Sequence, residues 1–229
     1  CPCAQAPNMI DLSRKSTSKL TKRSGSRGVV MAGKALVVID MQSDFCPGGA
    51  LAVAGGDEII PAINRLIAAH EHVVLTQDWH PAGHSSFASS HAGKAPFEMI
   101  EMPYGPQTLW PDHCVQGSRG AEFHHALEWT KAELVIRKGF RKDIDSYSAF
   151  FENDHATPTG LGGYLRERGI SEVTLCGLAT DFCVAFSAID AARQGLSTTV
   201  IFDACRGIDL GGSMAAMTEK MRAQGVTLA

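Results

Sequence analysis

The sequence lacks any apolar run that approaches the ~20 residues needed to span a membrane as a helix, so we predict no membrane partner. It also lacks a strong charge of either sign, because 21 basic and 24 acidic residues leave a formal net charge of -3. A net charge this close to zero gives no reason to expect nucleic acid as a partner.

The cysteines do not form a recognisable pattern. There are seven, an odd number, without regular spacing and without the paired C-x-x-C motifs of a zinc site. This excludes a disulfide framework, and it makes a reducing cytoplasm the predicted compartment.

Residues 1–30 differ in composition from the rest of the chain. They hold six of the 21 basic residues and one of the 24 acidic residues, with little apolar content. Such a segment cannot bury enough surface to fold, which predicts a disordered tail or a remnant of cloning or of an upstream reading frame. A targeting peptide is the less favoured alternative. Residues 31–229 then form one domain with 15 basic and 23 acidic residues.

Short apolar runs alternate with amphipathic segments along residues 31–229. We predict six strands at 35–39, 72–76, 133–137, 172–176, 198–202 and 226–228. Helices are expected at 57–70, 120–129, 159–168, 181–194 and 211–224, and residues 79–120 are expected to form a long functional loop region. The pattern predicts an α/β fold: a doubly wound, mainly parallel six-stranded sheet with helices on both faces, an α/β/α sandwich.

Reactive side chains follow the predicted strands where these end. Asp40 follows the first strand, Asp78 and His80 the second, Lys138 the third and Cys183 the fourth. Ligands of doubly wound sheets bind outside the carboxyl ends of the strands, so these residues are expected to converge.

Cys183 is a candidate nucleophile. With Thr180 as the predicted N-cap, Cys183 lies in the first helical turn, where the helix dipole favours a thiolate and free amides can bind an oxyanion. Asp40 and Lys138 beside it could carry protons and stabilise charge. The alternatives are a small buried thiol and a structural ion pair.

Asp78 and His80 are candidate metal ligands, because residues two apart on an extended segment project to the same side. A third donor is available from His113 or from His84. A carboxylate and two imidazoles suit one divalent metal ion, Zn²⁺, Fe²⁺ or Mn²⁺, with open positions for water or substrate.

Five separated segments resemble the nicotinamidase (pyrazinamidase) branch of the isochorismatase-like cysteine hydrolases. They span nearly all of residues 34–229 and are Ala35–Leu51, Asp78-Trp-His80-Pro-Ala-Gly-His84-Ser-Ser-Phe87, Trp110-Pro-Asp-His113-Cys-Val-Gln-Gly117, Lys138-Gly139 and Gly177-Leu-Ala-Thr-Asp-Phe-Cys183-Val184. The resemblance implies hydrolysis of nicotinamide to nicotinic acid through a cysteine thioester, with pyrazinamide as a further substrate.

The resemblance also implies a role for each site residue. The catalytic triad is Asp40, Lys138 and Cys183, and the metal ligands are Asp78, His80 and His113, with His84 as a fourth candidate. The oxyanion hole consists of the amides of Ala179 and Cys183, beside a cis Leu178–Ala179 peptide bond. The ring pocket is lined by Phe45, Trp110 and Tyr147. The chain departs from the family at Ser43, where Asn is common, and at Phe182, where some members have His.

Two rival functions remain open at this stage. A metal-independent hydrolase of carbamoyl or ureido substrates has the triad but needs no metal ligands, and a non-catalytic metal-binding module has a broken triad. An isochorismatase lacks the thiol. The predicted partner is nicotinamide, and a homo-oligomer is left open.

Overall fold

A six-stranded sheet lies at the centre of the computed structural model, which describes residues 33–229. All neighbouring strands in it are parallel. The strands of the chain are β1 (Gly33–Ile39), β2 (His72–Asp78), β3 (Met99–Met102), β4 (Gly105–Thr108), β5 (Leu134–Lys138), β6 (Ile170–Leu178), β7 (Ser197–Arg206) and β8 (Thr227–Leu228). Of these, β3 and β4 form a separate antiparallel hairpin. The predicted six-stranded sheet is confirmed, whereas the predicted tail, residues 1–30, lies outside the described residues.

The strand order β5-β2-β1-β6-β7-β8 reverses direction in the middle of the sheet. From β1 the chain moves outward through β2 to β5, and it then returns to the other side of β1 with β6. The crevice between the carboxyl ends of β1 and β6 is therefore the topological switch point, where ligands bind in doubly wound sheets.

Within residues 33–229, four helices connect the strands: α1 (Ile60–Ala69), α2 (Leu161–Glu167), α3 (Ala185–Arg193) and α4 (Ser213–Ala223). The right-handed crossover rule puts α1 on one face of the sheet and the other three on the opposite face, because the connections run in opposite directions along it. Since both faces are covered, β1 is apolar along most of its length, and its residues 36–39 are fully buried.

The predicted helix at 120–129 is wrong. This segment forms turns that lead into a 3₁₀ turn at Trp129–Lys131. Its backbone groups bind distant partners: the Asn64 side chain donates to the Ala126 carbonyl and accepts from the Glu128 amide. Tertiary hydrogen bonds therefore replace the local ones that a helix would make.

No helix within residues 33–229 combines the length and the apolar content needed to cross a membrane.

Candidate active site

Asp40 lies where β1 leaves the sheet. Its φ of 46° is in the left-handed region, which few residues other than glycine adopt but which aspartate tolerates. Thr76 on β2 fixes this conformation, because its hydroxyl accepts from the Asp40 amide at 3.0 Å and donates to Oδ1 at 2.6 Å. The Asp40 carboxylate is thus held at the switch point with Oδ2 directed toward Lys138.

Lys138 joins the predicted triad. Its fully buried Nζ lies 2.8 Å from Asp40 Oδ2, 3.1 Å from Asp78 Oδ1 and 3.4 Å from Cys183 Sγ. It also donates to the Ser146 carbonyl at 2.9 Å. Although burial lowers it, the carboxylates of Asp40 and Asp78 hold the pKa of Lys138 well above its usual value. The structure thus brings the three predicted catalytic side chains together around one ammonium group.

Cys183 lies in a π-helical turn, Thr180–Val184, that leads directly into α3. The N-cap is Ala179, one residue before the predicted Thr180. The Ala179 carbonyl accepts hydrogen bonds from the amides of Phe182 and Val184. The Leu178–Ala179 peptide bond is cis.

Burial and the neighbouring charges have opposing effects on the thiol of Cys183. Burial raises the pKa of the Cys183 thiol well above its usual value, against the opposing effect of the Lys138 ammonium, and the Asp40 carboxylate raises it further. Burial raises the pKa of Asp40 too, with Asp78 adding to the rise. A buried thiol and a carboxylate of raised pKa form a pair suited to exchanging a proton.

Asp78, His80 and His113 form a buried cluster whose potential ligand atoms all lie within 4.8 Å of one another. His80 Nδ1 lies 2.9 Å from the Gly139 carbonyl and His113 Nδ1 lies 2.8 Å from the Pro111 carbonyl. Because a carbonyl only accepts, each Nδ1 carries the proton. The Nε2 lone pairs then face Asp78 Oδ2 at 3.0 and 3.3 Å. This donor set suits a divalent cation such as Zn²⁺.

His84 is placed differently from the other three candidates. Its ring lies beside that of His80, with the centroids 4.3 Å apart. Its Nε2 donates to the carbonyls of Arg141 and Ile144, and its Nδ1 pairs with Ser86 Oγ. Both nitrogens are therefore engaged, and His84 packs against His80 instead of facing Asp78.

Gly139 gives the metal cluster the space it needs. It has a φ of 63°, and a Cβ added there would lie 2.5 Å from Cε1 and 2.7 Å from Nδ1 of His80. Any larger residue would therefore push the His80 ring away from Asp78.

We expect Gly139→Ala to weaken Zn²⁺ binding at least ~10-fold, because the added methyl group displaces the His80 ring. The dissociation constant is measured by isothermal titration calorimetry. Gly195→Ala is the matched control, because Gly195 has a φ of 83° but open space around a Cβ. Unchanged affinity in Gly139→Ala would contradict the proposed role of His80.

A pocket of about 340 Å³, a volume that includes the open space at its mouth, opens onto Cys183. It is lined by Phe45, Leu51, Asp78, Trp110, His113, Asp145, Tyr147, Ala179, Phe182, Cys183 and Ile208. All three predicted ring-pocket residues are among them. Trp110 and Phe182 meet edge to face with the ring centroids 4.9 Å apart. The walls are therefore aromatic and the base is polar.

The pocket also contains residues that sequence reasoning missed. Asp145, buried at the polar base, has a weak signal in the sequence: it precedes Tyr147 by two positions, so both project to the same side of an extended segment. Two residues behind the pocket lining have no signal of this kind, since their partners are distant in the chain: Thr76 binds Asp40, and Gln107 Nε2 donates to Asp145 Oδ2.

The parallel α/β/α fold, with a buried thiol, carboxylate and ammonium at its switch point, places the protein among the doubly wound α/β proteins whose ligand site lies at the carboxyl edge of the sheet. The comparisons with known proteins give the family. The model of the isochorismatase domain matches residues 34–229, and the chain belongs to this family.

Curated relatives cover most of this chain. A nicotinamidase of Acinetobacter baylyi is 58% identical over 192 residues, which are 84% of this chain and 90% of the relative. A nicotinamidase of Escherichia coli is 45% identical over 203 residues, which are 86% of this chain and 95% of the relative.

Solved structures share the fold. A nicotinamidase/pyrazinamidase of Acinetobacter baumanii has a TM-score of 0.85 at 58% identity, covering 87% of this chain and 96% of the other. PnC1 of L. infantum in complex with nicotinate has a TM-score of 0.75 at 39% identity, covering 86% and 92%. A pyrazinamidase of Pyrococcus horikoshii in complex with zinc has a TM-score of 0.68 at 35% identity, covering 86% and 98%.

Proposed function

We propose that this chain hydrolyses nicotinamide to nicotinate and ammonia, with Cys183 as nucleophile and one divalent metal ion. The observation that carries the proposal is the position of Cys183 Sγ, 3.4 Å from Lys138 Nζ, in an aromatic pocket whose base is formed by potential metal ligands. The nicotinamidases of A. baylyi and E. coli support the reaction by their identity over most of the chain. The A. baumanii structure supports pyrazinamide as a second substrate.

Asp78, His80 and His113 are the residues that would hold the ion, and the zinc complex of the P. horikoshii protein supports Zn²⁺ as one candidate beside Fe²⁺ and Mn²⁺. When bound, such an ion supplies a Lewis-acidic position for the ring nitrogen of the substrate. The aromatic side chains of Phe45, Trp110 and Phe182 hold the ring flat within the pocket.

Acylation begins with transfer of the thiol proton from Cys183 to Asp40. Lys138 stabilises both the carboxylate and the developing thiolate, because its ammonium lies close to each. The sulfur then attacks the amide carbon, and the amides of Ala179 and Cys183 stabilise the oxyanion. Asp40 returns the proton to the departing nitrogen, so ammonia leaves and a thioester remains.

Deacylation reverses the proton transfers. A water molecule attacks the thioester carbon while Asp40 accepts its proton. The tetrahedral intermediate collapses, the carbon–sulfur bond breaks, and Asp40 returns the proton to the sulfur. Nicotinic acid leaves and loses its proton to solvent to give nicotinate, and the thiol and the carboxylate are restored to their starting states.

The rival functions are not favoured. A metal-independent carbamoyl or ureido hydrolase does not require the Asp78, His80 and His113 cluster, and relatives at 58% and 45% identity carry the name nicotinamidase. A non-catalytic module does not require a buried Asp–Lys–Cys arrangement. A cytoplasmic location stays a prediction from the cysteine pattern.

The proposed function predicts different rates of hydrolysis for different aromatic amides. Ammonia release should be rapid with nicotinamide and pyrazinamide and about 10²-fold slower with benzamide, because benzamide has no ring nitrogen to orient the carboxamide over the sulfur. Comparable rates with benzamide would contradict orientation by the ring nitrogen, and no release from nicotinamide would contradict the function itself.

Metal removal is expected to suppress the reaction. Protein dialysed against a chelator should lose at least ~10-fold in the rate of ammonia release and should recover on addition of Zn²⁺, Fe²⁺ or Mn²⁺. The metal content is measured by mass spectrometry in parallel. Full activity in protein shown to be free of metal would refute the metal part of the proposal.

A further inference from the structure

Asp145 is a buried carboxylate at the base of the pocket to which neither the triad nor the metal cluster assigns a role. Its Oδ1 accepts from the Ser146 amide at 2.8 Å, and its Oδ2 accepts from Gln107 Nε2, also at 2.8 Å. Its side chain is almost completely inaccessible to solvent, yet it lines the same pocket as Asp78, His113 and Cys183. A carboxylate is costly to bury without a counter-charge, so its position requires an explanation.

The nearest titratable partner of Asp145 is His80. Asp145 Oδ1 lies 4.0 Å from His80 Nε2, which also lies 3.0 Å from Asp78 Oδ2. Since His80 Nδ1 donates to the Gly139 carbonyl, Nε2 presents its lone pair between two carboxylates. A cation bound at this point would offset the repulsion.

Asp145 is too far away to be a direct ligand of the same ion as Asp78 and His113. One of its oxygens lies within 4.8 Å of a ring nitrogen of both His80 and His84. It does not form such a group with Asp78 and His113. His84 cannot complete a second metal site in this conformation, because both of its ring nitrogens are engaged with other partners. A water molecule on the ion would, however, span the remaining distance to Asp145.

The buried charges support the same conclusion. With Asp40 ionised, the carboxylates of Asp40, Asp78 and Asp145 carry three negative charges against the single positive charge of Lys138. A divalent cation at the cluster would bring this sum to zero. A doubly negative buried site would otherwise be strongly unfavourable.

We propose that Asp145 is a positioning residue for the metal ion, whose carboxylate accepts a hydrogen bond from a water ligand of the ion at Asp78, His80 and His113. This rests on the metal part of the proposed function. The role differs from direct ligation because Asp145 acts through the water and through its charge. Residues that bind a ligand of the metal, and not the metal itself, contribute about 10- to 100-fold to metal affinity.

The test is the affinity of metal-free protein for Zn²⁺ alone, measured by isothermal titration calorimetry without substrate. Asp145→Asn keeps the side-chain volume and removes the charge, and we expect its dissociation constant to rise about 10- to 100-fold. Asp143→Asn is the matched control, because Asp143 is exposed two positions away and its loss changes the net charge equally. Asp145→Ser is a second variant in case the first does not fold, as judged by thermal unfolding.

Two results would overturn the proposal. One is an affinity of Asp145→Asn, or of Asp145→Ser, within twofold of the unchanged protein. The other is the loss of one protein ligand from the ion in Asp145→Asn, seen by X-ray absorption, since that would make Asp145 a direct ligand. His113→Ala separates this proposal from the proposed function: if it too binds Zn²⁺ normally, the ion does not bind at this cluster at all.

Discussion

Cys183→Ala is expected to lower ammonia release from nicotinamide at least ~10³-fold without unfolding the protein, since replacing a catalytic nucleophile has effects of this size or larger. The thiol is the group on which the acyl intermediate forms, and the oxyanion hole and the metal cluster cannot take its place. The fold should survive, because the change removes one buried sulfur atom and leaves the π-helical turn intact.

Cys176→Ala is the matched control for this experiment. Cys176 is a fully buried cysteine on β6 whose pKa is also raised by burial, but it lies outside the pocket. It should retain activity with a small loss of stability. In the unchanged protein, hydroxylamine should intercept the thioester as nicotinohydroxamic acid. Substantial ammonia release by Cys183→Ala would exclude Cys183 as the nucleophile.

Asp40→Asn is expected to lower kcat about 10²- to 10⁴-fold, which is the contribution of a well-placed general base. Burial is the largest cause of the raised pKa of Cys183, so loss of the Asp40 charge removes only a smaller contribution to that rise. Asparagine can still accept the hydrogen bond from Thr76, so the position of the side chain is retained.

The pH dependence of the residual rate tests the reason for this loss. Without a base, reaction needs the thiolate, whose fraction grows tenfold per pH unit below the pKa of the thiol, so kcat of Asp40→Asn should rise steadily from pH 6 to pH 9. Asp190→Asn is the control, because Asp190 is a buried aspartate on α3 that does not line the pocket. A kcat near that of the unchanged protein would remove Asp40 from the mechanism.

The six parallel strands could be predicted because their signal is local. A strand covered on both faces needs a continuous apolar run, and β1, β2 and β6 each have one. The residues that end or follow these runs then had to meet at one edge, which is why Asp40, Asp78 and Cys183 could be grouped from the sequence. The helix at 120–129 could not be rejected on the same grounds, because the Asn64 side chain that satisfies its backbone is distant in sequence.

The sequence by itself determined the order of the strands along the chain, the edge at which the reactive groups gather and the residue types available for the chemistry. Only the tertiary structure decided how those groups are surrounded: that burial raises the pKa of the Cys183 thiol, that His84 packs against His80 instead of facing Asp78, and that Asp145 lines the pocket. The physical reason is the distance along the chain from which each property is determined. Strand periodicity depends on neighbouring residues, whereas pKa values and hydrogen-bond directions depend on burial and on charges contributed by distant segments of the chain.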